Sequence, residues 1–205
     1  MSRDDVALGP PTRPLHGFPS CELTSAQSLH RGHRTGNGPW WFSSSGGGRF
    51  DLNPPRGTCY LGFDELTAIR ETVGETLAKT GVISEDFATE RQLSTLTVPD
   101  DHQLADTCTD ETADFGLTRE LASMTPYAVP QEWAAAFDAH FAGIRYLTRF
   151  TTGPNPNAVG LFGDAGEAAW PIDPSPEPFV AAARRCGFIV ASPPRAVRIV
   201  PPPVA

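Results

Sequence analysis

The stretch from His30 to Val73 decides how the rest of the chain is organised. Its polar and aromatic side chains come in five short groups, in the order His30-Arg31-Gly32-His33, Trp40-Trp41-Phe42, Gly46-Gly47-Gly48-Arg49-Phe50-Asp51, Cys59-Tyr60-Leu61-Gly62 and Thr67-Ala68-Ile69-Arg70-Glu71-Thr72. The pattern predicts a strand for the first arginine, a glycine-rich turn before the second, a strand for the tyrosine and a helix for the glutamate. A site formed by this stretch would take its side chains from a sheet, a loop and a helix.

The segment from Phe63 to Thr80 carries the strongest helix signal in the chain. Asp64 stands at an N-cap position and Gly81 at a C-cap position. The apolar residues recur at spacings of three and four, as Leu66, Ile69, Val73 and Leu77. Glu71 and Glu75 lie off this stripe, so the pattern alone predicts that both are solvated.

Helix and strand patterns mix irregularly in the rest of the chain. We predict a second helix at 130–141 and a third at 179–185. The strand predictions are 27–34, 58–62, 92–98, 102–108, 144–148, 158–162, 188–191 and 196–200. Because strict βαβ alternation is missing, the predicted class is α+β. Residues 1–25 are predicted to form an irregular proline-rich arm, and residues 26–205 a single domain.

The composition is that of a globular protein, with 205 residues and 40% hydrophobic content. No apolar run reaches about 18 residues, so no transmembrane helix is expected. The first residues lack the apolar core of a secretory signal. The four cysteines (Cys21, Cys59, Cys108 and Cys186) are scattered, which is typical of reduced thiols in a cytoplasmic protein.

The net charge of −8 argues against a nucleic-acid-binding surface, because binding a phosphate backbone requires a basic face. The charge leaves open the binding of one nucleotide, which needs only a local pair of arginines. A membrane partner is likewise not expected.

Several common catalytic motifs are missing. The sequence has no G-x-S-x-G and no H-E-x-x-H. His30 and His33 fall on opposite faces of a predicted strand, which argues against a shared metal ion, and no metal site is expected. Cys59 lies within an apolar strand, which favours an inert thiol over a nucleophile.

The remaining candidates are two arginines, a tyrosine, a glutamate and a threonine: Arg31, Arg49, Tyr60, Glu71 and Thr148. Arginines suit phosphate recognition, and a tyrosine ring offers a stacking face. A carboxylate stabilises the positive charge that develops on a sugar when a glycosidic bond breaks. These are parts for breaking the glycosidic bond of a nucleotide.

The aromatic group Trp40-Trp41-Phe42 has two interpretations. The residues either form a core edge or, for Trp41, offer a stacking surface to the flat ring of a bound nucleotide.

As an ordered set, these groups resemble the RES domain family, which is named for its arginine, glutamate and serine. The resemblance spans roughly residues 28–162. It is carried by Leu29-His30-Arg31, Gly48-Arg49-Phe50-Asp51, Tyr60-Leu61-Gly62, Thr67-Ala68-Ile69-Arg70-Glu71, Gly143-Ile144-Arg145-Tyr146-Leu147-Thr148-Arg149 and Ala158-Val159-Gly160-Leu161-Phe162. It implies a fold like that of ADP-ribosyltransferases, with a mixed sheet flanked by helices. It also implies a toxin that consumes NAD⁺ by cleaving the nicotinamide–ribose bond with water or phosphate.

The resemblance also implies roles for the candidate residues. Arg31 and Arg49 are expected near the NAD⁺ phosphates or the nicotinamide-side ribose, and Tyr60 at the nicotinamide. Glu71 is expected to meet the ribose and stabilise the cationic transition state, which overrides the prediction that it is solvated. The family's serine is Thr148 here, which keeps the hydroxyl and adds a methyl group that restricts χ1.

Two other functions stay open from the sequence. The same residues would serve transfer of ADP-ribose onto a protein, and the threonine in place of serine leaves room for an inactive nucleotide-binding module. In the family the toxin's partner is a separate small helical antitoxin that blocks the NAD⁺ cleft, so a cognate antitoxin is an expected partner.

Overall fold

The computed structural model describes residues 7–153 and 158–192, which form strands and helices in mixed order. The strands are β1 Ser20–Leu23, β2 Leu29–Arg34, β3 Trp41–Phe42, β4 Arg56–Gly62, β5 Val82–Ser84, β6 Arg91–Leu96, β7 His102–Asp106, β8 Gly143–Tyr146, β9 Ala158–Asp164, β10 Gly166–Glu167, β11 Glu177–Pro178 and β12 Ile189–Ala191. The helices are α1 Glu65–Val73, α2 Glu75–Thr80, α3 Glu85–Thr89, α4 Ala128–Asp138 and α5 Phe179–Arg185, with 3₁₀ turns at Asp110–Phe115 and Arg119–Ala122.

A large mixed sheet organises the described residues, with its strands in the order β1-β7-β8-β9-β4-β2-β6-β11. β4 pairs with β9, and β2 with β6, along their full lengths. β2 and β4 share only one pair, His30 opposite Gly62. The sheet therefore splits between β2 and β4. The predicted class, a mixed sheet flanked by helices, is confirmed.

Helix α1 follows β4 directly and packs against β2 and β4, across the split. Asp64 caps its first turn as predicted: one carboxylate oxygen accepts from the Thr67 backbone N–H at 2.7 Å and the other from the Thr67 hydroxyl at 2.8 Å. Ile69 is fully buried, whereas Leu66 is 43% exposed and does not belong to the buried stripe.

The single helix predicted over 63–80 is in fact two helices. Gly74 has a φ of 66°, in the region that favours glycine, and it separates α1 from α2. The N–H of Gly74 donates to Arg70 O and closes the last turn of α1. Glu71 therefore lies in the final turn of a short helix instead of the middle of a long one.

The sheet buries both of its faces, as the alternation along β9 demonstrates. Ala158 and Phe162 join a core cluster with Trp133 and Phe137 of α4, while Val159 and neighbouring strand residues pack on the opposite face with Trp40 and Phe42. A third cluster lies between α1, α3 and α5 and includes Ile69 and Phe179.

The segment before β1 packs onto α4. Leu8, Leu15 and Phe18 are buried, and the Trp133 indole N–H donates to Gly9 O at 2.9 Å. Its course is irregular as far as β1, which pairs with β7. The boundary between an arm and a domain at residue 25 stays a prediction.

Most predicted elements lie close to observed ones, and α5 matches its predicted range. The predicted strand 144–148 ends earlier, at Tyr146, so Thr148 follows β8 instead of lying on it. The strand predicted at 196–200 lies outside the described residues. Among residues 7–153 and 158–192, no helix has the length and hydropathy needed to cross a bilayer.

Candidate active site

A cleft of about 380 Å³ opens where β2 and β4 separate. It is lined by the end of β4, by the glycine-rich segment before it, by α1 and by the segment after β8. The lining residues are His30, Arg31, Gly32, Gly47, Gly48, Arg49, Phe50, Tyr60, Leu61, Gly62, Thr67, Ala68, Glu71, Thr72, Tyr127, Tyr146, Arg149, Phe150 and Ala158. Four of the predicted site residues, Arg31, Arg49, Tyr60 and Glu71, therefore share one cavity.

Glu71 projects from the last turn of α1 toward the segment after β8. Its Oε1 accepts from the backbone N–H of Phe150 at 2.8 Å, across 79 residues of sequence. The Thr148 hydroxyl also hydrogen-bonds its carboxylate. The sequence pattern predicted a solvated Glu71, and that prediction is wrong because the β8–β9 connection covers this side of the helix.

Burial raises the pKa of Glu71 above its ordinary value of 4.5. The Phe150 N–H, the Thr148 hydroxyl and then Arg49 and Arg149 act in the opposite direction, because each favours the ionised carboxylate. Glu71 is thus a half-buried carboxylate oriented by two donors.

Thr148 is behind the cleft surface and not part of its lining. It is 8% exposed, and its hydroxyl lies 3.5 Å from Thr151 O, at the outer limit of a hydrogen bond, as well as bonding Glu71. Its place in the structure is that of a residue that orients Glu71.

Tyr60 and Asp51 form a closed hydrogen-bonded unit on the other side of the cleft. The Tyr60 hydroxyl donates to Asp51 Oδ1 at 2.9 Å and accepts from the Phe50 N–H at 2.9 Å. Burial, followed by the adjacent Asp51 carboxylate, raises the pKa of Tyr60 well above its ordinary value. The hydroxyl therefore stays protonated and its hydrogen bonds are made within the protein. Tyr60 contributes its ring to the cleft and does not act as a proton donor to a ligand.

Asp51 also organises the glycine-rich segment, and it is 3% exposed. Its Oδ2 accepts three hydrogen bonds of 3.0 Å, from the Ser43 hydroxyl, the Ser45 hydroxyl and the Gly48 N–H. These groups face an internal anion, so they do not form a cradle for an external phosphate.

Gly48 lies at the tightest point of this unit. A Cβ built there would be 2.2 Å from Asp51 Oδ1 and 2.5 Å from the Tyr60 hydroxyl, closer than any side chain tolerates. On the outer side, the Gln131 amide donates to Gly46 O at 3.0 Å and to Gly48 O at 2.9 Å. The loop is therefore fixed by Asp51 from within and by α4 from outside.

Arg31 donates three of the five guanidinium N–H groups within the protein. Nη1 donates to Pro39 O and to Cys59 Sγ, the latter at 2.9 Å, and Nη2 donates to Trp41 O at 2.9 Å. Among the residues that the structure describes, no acceptor takes the other two N–H groups. Trp41 is 41% exposed and is not among the described residues that line the cleft, so it meets the other candidates only through its backbone carbonyl, which accepts from Arg31.

Arg49 reaches across the cleft toward α4. Its Nη1 donates to Met124 O, and its Cζ lies 4.7 Å from the centre of the Tyr127 ring. Burial lowers the pKa of Arg49, with Tyr127 acting in the opposite direction. The guanidinium is a partly desolvated cation held at the cleft wall, where an anionic ligand would meet it.

Sequence reasoning missed Tyr146, Arg149 and Phe150, which line the cleft beside Glu71. A signal for Tyr146 was available, since it shares a strand face with Ile144 in the alternating pattern of β8. No comparable signal exists for Phe150, because its contact with Glu71 uses a backbone N–H.

The two histidines of β2 separate as the strand alternation predicts. His33 is 6% exposed and hydrogen-bonds Ser94 at 2.9 Å, while His30 lies at the cleft. Among the residues that the structure describes, no group of three or more histidine, cysteine, aspartate or glutamate side chains could hold a metal ion.

Comparison with known protein families matches residues 26–181 to the RES domain. A solved structure with a similar fold is titled as the crystal structure of the M. tuberculosis MbcT–MbcA toxin–antitoxin complex. Its matching chain aligns with a TM-score of 0.59 and 13% sequence identity, covering 80% of this chain and 90% of that one. A comparison with curated proteins found no match.

Proposed function

The chain belongs to the RES domain family, and from this membership we propose that it is a cytoplasmic enzyme that consumes NAD⁺. The proposed reaction cleaves the N-glycosidic bond between nicotinamide and ribose. Water is the acceptor in a glycohydrolase and inorganic phosphate is the acceptor in a phosphorylase.

The observation that carries the proposal is the position of Glu71 in the cleft. Its carboxylate is half-buried and oriented by the Phe150 N–H and the Thr148 hydroxyl. It shares the cavity with a fixed tyrosine ring and two arginines. A desolvated, pre-oriented anion is what stabilises an oxocarbenium-like cation, because it needs no reorganisation as positive charge develops.

The chemistry needs no proton donor for the leaving group. Nicotinamide in NAD⁺ carries the positive charge on its ring nitrogen, and when the bond to C1′ breaks the electron pair leaves with that nitrogen. The positive charge passes to the ribose ring, next to Glu71, and nicotinamide departs neutral. Water or phosphate then adds to C1′, and water loses a proton in doing so. A tyrosine with a closed hydroxyl suits this reaction, since Tyr60 serves as a ring surface.

The size of the cleft supports binding of one end of the dinucleotide. Pockets for small molecules are roughly 300–1,000 Å³, and 380 Å³ lies near the lower end. Nicotinamide and its ribose would fill this cleft, while the phosphates would extend toward the free N–H groups of Arg31 and toward Arg49.

We further propose that the protein is the toxin of a toxin–antitoxin pair. The support is the fold shared with a chain from a structure titled as such a complex. A cognate antitoxin would act by covering the cleft.

The test measures NAD⁺ and its products over time with purified protein, with and without inorganic phosphate. Loss in both buffers with free ADP-ribose identifies a glycohydrolase, and loss only with phosphate identifies a phosphorylase. Label transferred from NAD⁺ to protein would instead identify an ADP-ribosyltransferase. Binding without loss would identify an inactive module and overturn the proposal. Glu71→Gln, which keeps the size of the side chain, is the control and is expected to lower turnover about 10²–10³-fold.

A further inference from the structure

The Tyr146 side chain is buried, yet its hydroxyl is not used by the protein. It is 8% exposed and lines the cleft. Within residues 7–153 and 158–192 the hydroxyl has no hydrogen-bond partner. The hydroxyl is not among the buried side-chain atoms without a partner, so it is open to the cleft, where a ligand can hydrogen-bond it.

The other tyrosine on the cleft wall is the useful contrast. The Tyr60 hydroxyl donates to Asp51 and accepts from the Phe50 N–H, so its ring is what faces a ligand. For Tyr146 the ring is fixed instead, packed edge-on to Phe50 with centroids 4.9 Å apart. A ligand in the cleft can therefore contact the ring face of Tyr60 and the hydroxyl of Tyr146.

The surroundings of Tyr146 indicate what its hydroxyl meets. Glu71 and Arg49 are the charged groups that act on it electrostatically, which places the hydroxyl in the polar part of the cleft near both. Burial and then Glu71 raise the pKa of Tyr146, so the hydroxyl keeps its proton and can donate it in a hydrogen bond. A ligand group held against Glu71 lies within reach.

We infer that the Tyr146 hydroxyl is a substrate-binding group that hydrogen-bonds a ribose hydroxyl of the nucleotide held against Glu71. The inference rests on the proposed function, since it takes the nicotinamide-side ribose as the group at Glu71. It adds a specificity element: Tyr146 distinguishes a ribose from a deoxyribose. A hydrogen-bonding site disfavours an analogue that lacks the hydroxyl, because the buried protein group is then left unpaired.

The test compares wild type and Tyr146→Phe on ligands that cannot be cleaved. The probes are carbocyclic NAD⁺, in which a methylene replaces the oxygen of the nicotinamide-side ribose ring, and its 2′-deoxy and 3′-deoxy forms. Wild type is expected to bind the parent probe roughly tenfold more tightly than one of the deoxy forms, the size of one hydrogen bond. In Tyr146→Phe this preference is expected to disappear.

Thermal stability separates this role from a structural one. Tyr146→Phe removes only an unpaired hydroxyl, so its melting temperature is expected to equal or exceed that of wild type. The matched control is Thr112→Val, which removes a buried hydroxyl that donates to Thr109 O at 2.8 Å away from the cleft. It is expected to lower the melting temperature and to leave ligand preference unchanged.

The outcomes distinguish this inference from the proposed function. If Tyr146→Phe prefers the parent probe over the deoxy forms as strongly as wild type does, the inference is overturned. This holds whether or not wild type consumes NAD⁺. If the preference is lost while wild type leaves NAD⁺ intact, the inference stands and the proposed enzyme activity falls. A wild type that binds none of the probes would overturn both.

Discussion

Two parts of the cleft differ in how their polar groups are used: at one, Asp51 lies behind the surface and engages Tyr60 and the glycine-rich loop, whereas at the other Glu71 and Tyr146 line the cavity. Each part has one carboxylate and one tyrosine. The Asp51 carboxylate accepts four hydrogen bonds from the protein, and Glu71 is held by two donors. We call the first the closed wall and the second the open wall.

Burial alone therefore does not identify a functional carboxylate. Asp51 is more deeply buried than Glu71, but its hydrogen-bonding capacity is used within the loop. The closed wall gives shape and rigidity. The open wall presents groups whose remaining capacity only a ligand can use, which is the usual arrangement where stability has been exchanged for function.

The strongest test of the open wall is Glu71→Gln. Removing the anion is expected to lower NAD⁺ turnover about 10²–10³-fold, the range seen when one group that stabilises transition-state charge is lost. Stability at pH 7 is expected to be unchanged or raised, because burial disfavours the ionised carboxylate. Turnover assays and thermal unfolding measure the two effects.

The pH dependence of stability gives the same variant a second readout. Because the folded-state pKa of Glu71 is raised, the folded protein binds the proton more tightly than the unfolded chain. In wild type this contribution weakens as the pH rises through the window that begins near 4.5. Glu71→Gln should flatten that part of the stability profile, and a variant that unfolds at neutral pH would contradict the assignment.

The strongest test of the closed wall is Asp51→Ala. It leaves four donors without their acceptor, and hydrogen bonds to a charged group are worth about 1.5–3 kcal/mol, so a loss of about 3 kcal/mol is a conservative expectation. For a chain of this size that lowers the melting temperature by roughly 6–12 °C. Differential scanning calorimetry measures it, and a melting temperature equal to that of wild type would mean that the loop does not depend on Asp51.

A smaller effect on the same wall is expected from Gly48→Ala. The new methyl group would meet the Asp51 carboxylate and the Tyr60 hydroxyl, and overpacking costs about 1–3 kcal/mol. The matched control is Gly47→Ala, whose methyl group would lie 3.3 Å from the Ser45 hydroxyl. Urea unfolding of the pair should therefore separate them, and equal losses would show that the clash is relieved by loop movement.

The smallest effect is expected at Thr148, where two substitutions test the role of the hydroxyl apart from that of the methyl group. The hydroxyl lowers the pKa of Glu71, so Thr148→Val is expected to raise that pKa further. Because turnover requires ionised Glu71, the acid limb of the pH profile of activity should move to higher pH in Thr148→Val. Thr148→Ser keeps the hydroxyl and should leave the limb in place. The pH profile of kcat/KM measures both, and coincident profiles for all three proteins would exclude the hydrogen bond to Glu71.

The features that sequence reasoning predicted correctly depend on neighbours in the chain. Asp64 caps a helix through Thr67, three residues away, and α5 was predicted over its observed range. The prediction of one long helix over 63–80 is wrong at Gly74, because the spacing of apolar residues carries no information about a positive φ. Of the predicted site residues, Arg31, Arg49, Tyr60 and Glu71 meet in the cleft, while Thr148 lies behind Glu71 and Trp41 lies outside the lining.

The mixed class of the fold, the family of the chain and most of the residues that share the cleft could be predicted from the order of the amino acids. How those residues are used depends on contacts that form only in the folded protein. The split between β2 and β4, the engagement of Arg31 by Pro39 and Trp41, and the hydrogen bond from Phe150 to Glu71 join segments that are distant along the chain. Which hydrogen bonds a carboxylate accepts depends on the donors that the fold brings to it. The Asp51 carboxylate is occupied by four donors of the protein, whereas the Glu71 carboxylate is held by two.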